Sequence, residues 1–160
     1  MTEDEAIARA LGLPCWQEPG AAEILGGGIT NVNVKVKDRT RAFVVRLGDD
    51  IPVHGILRWH EVMLSRAAFQ AGLAPRVHHH EPGALVLEFI EGRTYGEEDV
   101  RAPDTLPRIV DLVRRCHREM PAHLSGPVLT FWVFHVIRDY AARLRSDGSA
   151  HKGRLDGLLE

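Results

Sequence analysis

Three features of the sequence have the residue types and the order needed to hold a chain of phosphates. The first is a glycine triplet, Gly26, Gly27 and Gly28, followed by Ile29-Thr30-Asn31-Val32-Asn33. Glycine lets backbone N–H groups approach phosphate oxygens with no side chain in the way. The second is Arg46, whose guanidinium offers a fork of donors to such oxygens. The third is Glu61, a carboxylate able to hold that cation in place so that little freedom is lost when the anion arrives. Each has a plainer reading when taken alone. The triplet is equally a tight hairpin, Arg46 a solvated strand arginine and Glu61 a solvated helix glutamate, since most charges lie at the surface. The order of all three favours the phosphate site. Neither the dinucleotide fingerprint nor the Walker loop fits, because both need a strand running into a helix, and here the glycines join two strands.

The elements that must carry these residues follow from the patterning. Thr2 and Glu5 form a capping-box pair ahead of Ala6, Ile7, Ala10 and Leu11, so a short helix opens the chain and stops at Gly12 and Pro14. Strands are expected at 22–25, 31–37 and 41–47. In the second, Val32, Val34 and Val36 alternate with polar residues; in the third, Phe43, Val45 and Leu47 share one face, leaving Val44 and Arg46 on the other. These three should form an antiparallel meander. A helix at 56–71, with Trp59, Val62, Met63, Ala67 and Phe69 apolar, carries Glu61 and ends at Gly72. Two more strands, at 76–80 and 84–90, are joined by Glu81-Pro82-Gly83. Beyond Pro103 the chain reads as helical, with one apolar stripe through Leu106, Ile109, Val110, Val113 and Cys116. A second stripe runs through Phe131, Phe134, Ile137, Tyr140 and Leu144, and a last helix opens near Arg154 with Leu155, Leu158 and Leu159.

With 160 residues, 20 basic against 22 acidic and a net charge of −2, the chain has the composition of one globular domain and no basic field for nucleic acid or an anionic membrane. Cys15 and Cys116 have no metal or disulfide spacing, the N-terminus is acidic rather than signal-like, and no apolar run is long enough for a membrane span. A cytoplasmic protein with neither nucleic-acid nor membrane partners is expected.

The segments Gly27-Gly28-Ile29-Thr30-Asn31-Val32-Asn33-Val34, Phe43-Val44-Val45-Arg46-Leu47, Glu61, Ala71-Gly72-Leu73-Ala74-Pro75-Arg76-Val77 and Leu85-Val86-Leu87-Glu88-Phe89-Ile90-Glu91-Gly92 resemble, in order and spacing, the N-terminal lobe of the choline/ethanolamine kinase family. That family belongs with the aminoglycoside phosphotransferases in the kinase-like superfamily. The resemblance covers about residues 20–145. It implies an α+β, protein-kinase-like fold: a five-stranded antiparallel N-lobe with one inserted helix over residues 1–92, then a linker and the first helices of a truncated C-lobe over 93–160. It further implies ATP as the nucleotide and a small-molecule alcohol as acceptor, with choline or ethanolamine favoured. Another acceptor such as an aminoglycoside, or a non-catalytic nucleotide-binding or interaction role, remains the alternative. By the same resemblance Gly27, Gly28, Ile29, Thr30, Asn31 and Asn33 cover the phosphates, Arg46 contacts them and Glu61 orients Arg46. Glu88, Phe89 and Ile90 form the hinge, where the Glu88 carbonyl and the Ile90 amide read the adenine edge.

The departure from the family lies in its catalytic motif, His-x-Asp-x-x-x-x-Asn, which supplies the base and a magnesium ligand. The nearest stretch, His151-Lys152-Gly153-Arg154-Leu155-Asp156, has the wrong spacing. No catalytic and no metal-binding residue is therefore assigned, Mg2+ is expected only with a full-length enzyme, and the chain reads as a kinase that stops short of its catalytic half. The exposed stripes such a truncation leaves could support self-association. In His78-His79-His80, strand alternation would let only His78 and His80 share a face, with no third ligand evident. His117 reads as a packed histidine and Cys116 as core.

Overall fold

The computed structural model describes residues 1–155 and 157. Helix α1 (Glu3–Leu11) is opened by the expected capping box, Thr2 and Glu5 exchanging side-chain-to-backbone bonds. Five strands follow: β1 (Pro19–Leu25), β2 (Val32–Asp38), β3 (Arg41–Leu47), β4 (Val77–Glu81) and β5 (Ala84–Glu88), with helix α2 (Arg58–Gln70) inserted between β3 and β4. They form one antiparallel sheet in the order β1-β2-β3-β5-β4. The chain leaves the middle of the sheet after β3, returns as the edge strand β4, and turns back so that β5 fills the place beside β3. The sheet is the kinase-like α+β arrangement read from the sequence.

Strand alternation decides the two faces. Val34 and Val36 of β2, Phe43, Val45 and Leu47 of β3, and Ala84 and Val86 of β5 are buried together with Ala6 and Ala10 of α1. Each large buried side chain of this set contributes roughly 1.5–3 kcal/mol. The register places Asn33 opposite Arg46 and Arg46 opposite Leu85, so these project from the other face, towards α2. Packing the apolar face on α1 thus leaves the polar face free to form a site.

Helix α2 ends as the glycine predicts. Gly72 takes φ 68°, its N–H and that of Leu73 return to the carbonyls of Phe69 and Ala68, and the chain leaves towards Pro75. Only Ala67 of α2 is buried, and Trp59 and Phe69, expected in an apolar face, are exposed. The helix starts at Arg58 rather than 56 because Ile56 pairs with Ile51 around a short 3₁₀ turn, Pro52–His54. Strand β1 reaches back to Pro19, where the Asp38 carboxylate, almost fully buried, accepts the amides of Gln17 and Glu18.

The chain packs as two compact units, Met1–Pro127 and Val128–Glu160. In the first, a short helix α3 (Glu97–Arg101), absent from the sequence reading, precedes α4 (Leu106–Arg118). At the start of α3 the Asp99 carboxylate accepts the Gly96 amide and pairs with Arg93, which pushes its carboxyl down to about 2. The Arg115 guanidinium donates to the carbonyl of Ala71, tying α4 to the end of α2. Cys116 and His117, read as packed, are both exposed, because the α4 stripe is largely uncovered. The second unit holds α5 (Val133–Ser146) and a 3₁₀ turn, Lys152–Arg154. Leu155 is buried there. The rest of the helix expected near Arg154, with Leu158 and Leu159, lies outside the described residues. Among the described residues no helix is long and apolar enough to cross a membrane.

Candidate functional site

The site grows from the turn between β1 and β2. Gly27 takes φ 85°, a left-handed conformation open to glycine at little cost. A Cβ at Gly28 would fall on the carbonyl oxygen of Asn31, well inside van der Waals contact, so the turn closes only with glycine there. Gly26 has open space around it, and Ile29 is fully exposed at the tip. Asn31 Oδ1 and Asn33 Oδ1, at the base of the turn, are buried without a hydrogen-bond partner among the described residues.

Beside this turn the structure brings Arg46 and Glu61 together. Arg46 Nη1 lies 2.8 Å from Glu61 Oε1, across the gap between β3 and α2. The other carboxylate oxygen of Glu61 accepts from Arg58 Nη1 at 2.7 Å. The Arg46 side chain stays 36% exposed while Glu61 is 19% exposed. A cation anchored at one end and open to solvent at the other suits the binding of an arriving anion. The three charged groups line both a cavity of about 800 Å3 beneath β3, α2 and the β4–β5 hairpin and one of about 280 Å3 that runs to Thr30 and Asn31.

The hinge segment stands apart from this cluster. The amide of Phe89 extends the ladder to the carbonyl of Ala42, and that of Glu88 bonds the carbonyl of Arg76. Ile90 is past the end of the ladder and exposed. The Glu88 side chain, in register with Phe43, belongs to the α1 face and pairs with Arg41, away from Arg46. The Phe89 ring is covered by the Lys35 ammonium, 4.1 Å from its centroid, and Lys35 is held by Glu23 at 3.6 Å.

Two of these residues, Arg58 and Lys35, were not picked out as candidates from the sequence. Arg58 stands three residues before Glu61, an ion-pair spacing on a helix that was readable. Lys35 was legible only as an alternating polar residue. The three histidines do not divide as alternation predicts. A bulge between Val77 and His79 shifts the register, so His78 stacks on Trp16 and packs tilted against Phe43 at the α1 face, whereas His80, opposite Leu85, lines the larger cavity. His78 and His80 therefore share no face.

Among solved structures the chain is similar to an ethanolamine kinase of Plasmodium vivax, with a TM-score of 0.63 and 21% sequence identity over 79% of this chain and 37% of that one. The chain thus spans little more than a third of that protein's length, and at this identity the likeness establishes the fold. No curated protein sequence matches. The sequence profile described as the phosphotransferase enzyme family matches residues 21–154, from the first strand through the glycine turn, the Arg46–Glu61 pair and both long C-terminal helices. The chain belongs to the phosphotransferase enzyme family and has its kinase-like fold.

Proposed function

We propose that residues 1–92 are the nucleotide-binding lobe of an ATP-dependent phosphotransferase acting on the hydroxyl group of a small molecule, with choline or ethanolamine the favoured acceptor. The observation that carries this reading is the Arg46–Glu61 ion pair at 2.8 Å beside a turn whose Gly28 has no room for a side chain. The residues present fit a triphosphate: a glycine turn with no side chain over its backbone at Gly26, Gly27 and Gly28, and the open end of Arg46, which Glu61 holds in place. The acceptor rests on the resemblance to the choline/ethanolamine kinases, beside which the fold of the Plasmodium vivax protein is a coarse support. When bound, ATP would supply the transferable phosphoryl group. This chain's own residues would hold its phosphates at the turn and Arg46, and its adenine at the Glu88–Ile90 backbone. Residues 93–160 then lead into the helical lobe. Mg2+ belongs with the His-x-Asp-x-x-x-x-Asn loop, which the 160 residues do not contain, so no catalytic role is given to any of them.

Isothermal titration of the chain with ATP tests the reading. Weak but saturable binding is expected, and Arg46→Ala should weaken it about tenfold, the worth of a charge-assisted hydrogen bond. Choline and ethanolamine should not be phosphorylated by residues 1–160. Turnover by this chain would show that the catalytic groups have been misassigned, and absence of any ATP binding would favour a non-catalytic interaction role. The uncovered stripe of α4 lends that second reading its support.

A further inference from the structure

We infer that Arg58 is a positioning residue of the phosphate site, the clasp that fastens the glycine turn to the Arg46–Glu61 pair; this rests on the nucleotide reading above. Its guanidinium works in three directions at once. Nη1 donates to Glu61 Oε2 at 2.7 Å, Nε to the carbonyl of Asp49 at 2.9 Å and Nη2 to the carbonyl of Thr30 at 3.3 Å. Its own amide donates to Asp50 Oδ1 at 2.6 Å. One side chain thus connects the end of the glycine turn, the loop after β3 and the carboxylate that orients Arg46. At 17% exposure it is less accessible than Arg46, and its donors are already committed to Glu61 and two carbonyls.

The room for this clasp is built in at Gly48. A Cβ there would lie 2.8 Å from Arg58 Nη2, 2.8 Å from Asn31 Oδ1 and 3.1 Å from the Thr30 carbonyl, so a side chain would push the guanidinium off the turn. The charge arithmetic follows from the sharing. A single carboxylate divided between two guanidiniums leaves the three side chains with a net charge of +1, whereas Arg46 and Glu61 alone would be neutral. Arg58 therefore keeps Glu61 fixed and leaves Arg46 with charge to offer an anion. Lysine cannot replace it, because a single ammonium has no planar fork to satisfy a carboxylate and two carbonyls in three fixed directions.

Two ligands separate positioning from general structure: ATP, which has the phosphates, and adenosine, which lacks them. Both are titrated into the wild-type chain, Arg58→Lys and Gly48→Ala, with thermal unfolding followed alongside. Arg58→Lys should weaken ATP about tenfold while leaving adenosine binding unchanged. Gly48→Ala, whose Cβ crowds Arg58 Nη2 at its contact with the turn residues Thr30 and Asn31, should do the same and serves if Arg58→Lys does not fold. Unchanged ATP affinity in a folded variant would overturn the clasp while leaving the nucleotide reading intact. Equal loss of ATP and adenosine would also overturn it, since that is what a merely structural arginine gives. A wild-type chain that binds neither ligand would overturn the nucleotide reading, and the clasp with it.

Discussion

At the scale of single residues, the structure uses carboxylates as fasteners for backbone and cations. Glu61 fastens Arg46, and Asp38 fastens the amides of Gln17 and Glu18 to the end of β2. The bond from the Glu18 amide, 2.6 Å long, is the main reason that the Asp38 carboxyl is held below the usual carboxylate range; it outweighs the opposing effect of burial. A folded-state value below the unfolded one contributes stability that is fully present above about pH 4 and is lost as pH falls through the lowered value. Asp99 contributes in the same sense, down to about 2, through Arg93 and the Gly96 amide. The expected outcome is an Asp38→Ala variant that unfolds more easily than wild type near neutral pH, with the difference shrinking as pH falls below the usual carboxylate range. Urea unfolding at several pH values measures this, and a difference that stays constant with pH would show that the carboxylate's charge is not what matters. The sequence made Arg46 and Glu61 legible because their order along the chain is meaningful. Asp38 was not picked out because its worth lies in a backbone group 20 residues away, and although the spacing of Arg58 to Glu61 was readable, its bonds to carbonyls 9 and 28 residues away are encoded by no spacing.

At the scale of elements, local rules and tertiary placement can be told apart. Val34 and Val36, the capping box of Thr2 and the stop at Gly72 were readable because each follows from the period of its own element or from the chemistry of its own terminus. The start of α2 was not, because Ile56 is taken by Ile51, and the facing of His78 was not, because a bulge in an edge strand leaves no mark in composition. The glycine turn makes the distinction testable. Gly26 and Gly28 look equivalent in sequence, yet a Cβ meets nothing within 4 Å at Gly26 and collides with the backbone of Asn31 at Gly28. Gly28→Ala must shift backbone and should cost about 1–3 kcal/mol of stability, as overpacking does. Gly26→Ala should be neutral or slightly stabilising, by up to about 1 kcal/mol, because it restricts the unfolded chain. Thermal unfolding of the two single variants decides it; equal effects would mean that the turn has another shape in solution.

At the scale of the whole molecule, apolar surface is divided unevenly along the chain. Val34, Val36, Val45, Val86 and Phe43 of the sheet are almost completely buried, whereas Leu106, Val110, Leu112 and Val113 of α4 are about half exposed, and Phe131, Trp132 and Phe134 at the head of α5 are more exposed still. Both apolar stripes were legible in the sequence; what covers them was not, since periodicity reports that a face is apolar and never what lies against it. Uncovered apolar side chains of this size invite contact, because each one buried against a partner gains about 1.5–3 kcal/mol. The chain is therefore expected to associate with rising concentration and to bind a hydrophobic dye. Salt should strengthen the association rather than weaken it, since an apolar contact, unlike an ion pair, is not screened. Light scattering across a concentration series, with and without added sulfate, reads both. Replacing Val110 and Val113 by glutamate places charge on the exposed stripe of α4 and should lower the association without lowering ATP affinity, because neither residue lines the Arg46–Glu61 cavities. A monomer that unfolds cooperatively and binds no dye would show that the exposed stripes do not drive contact.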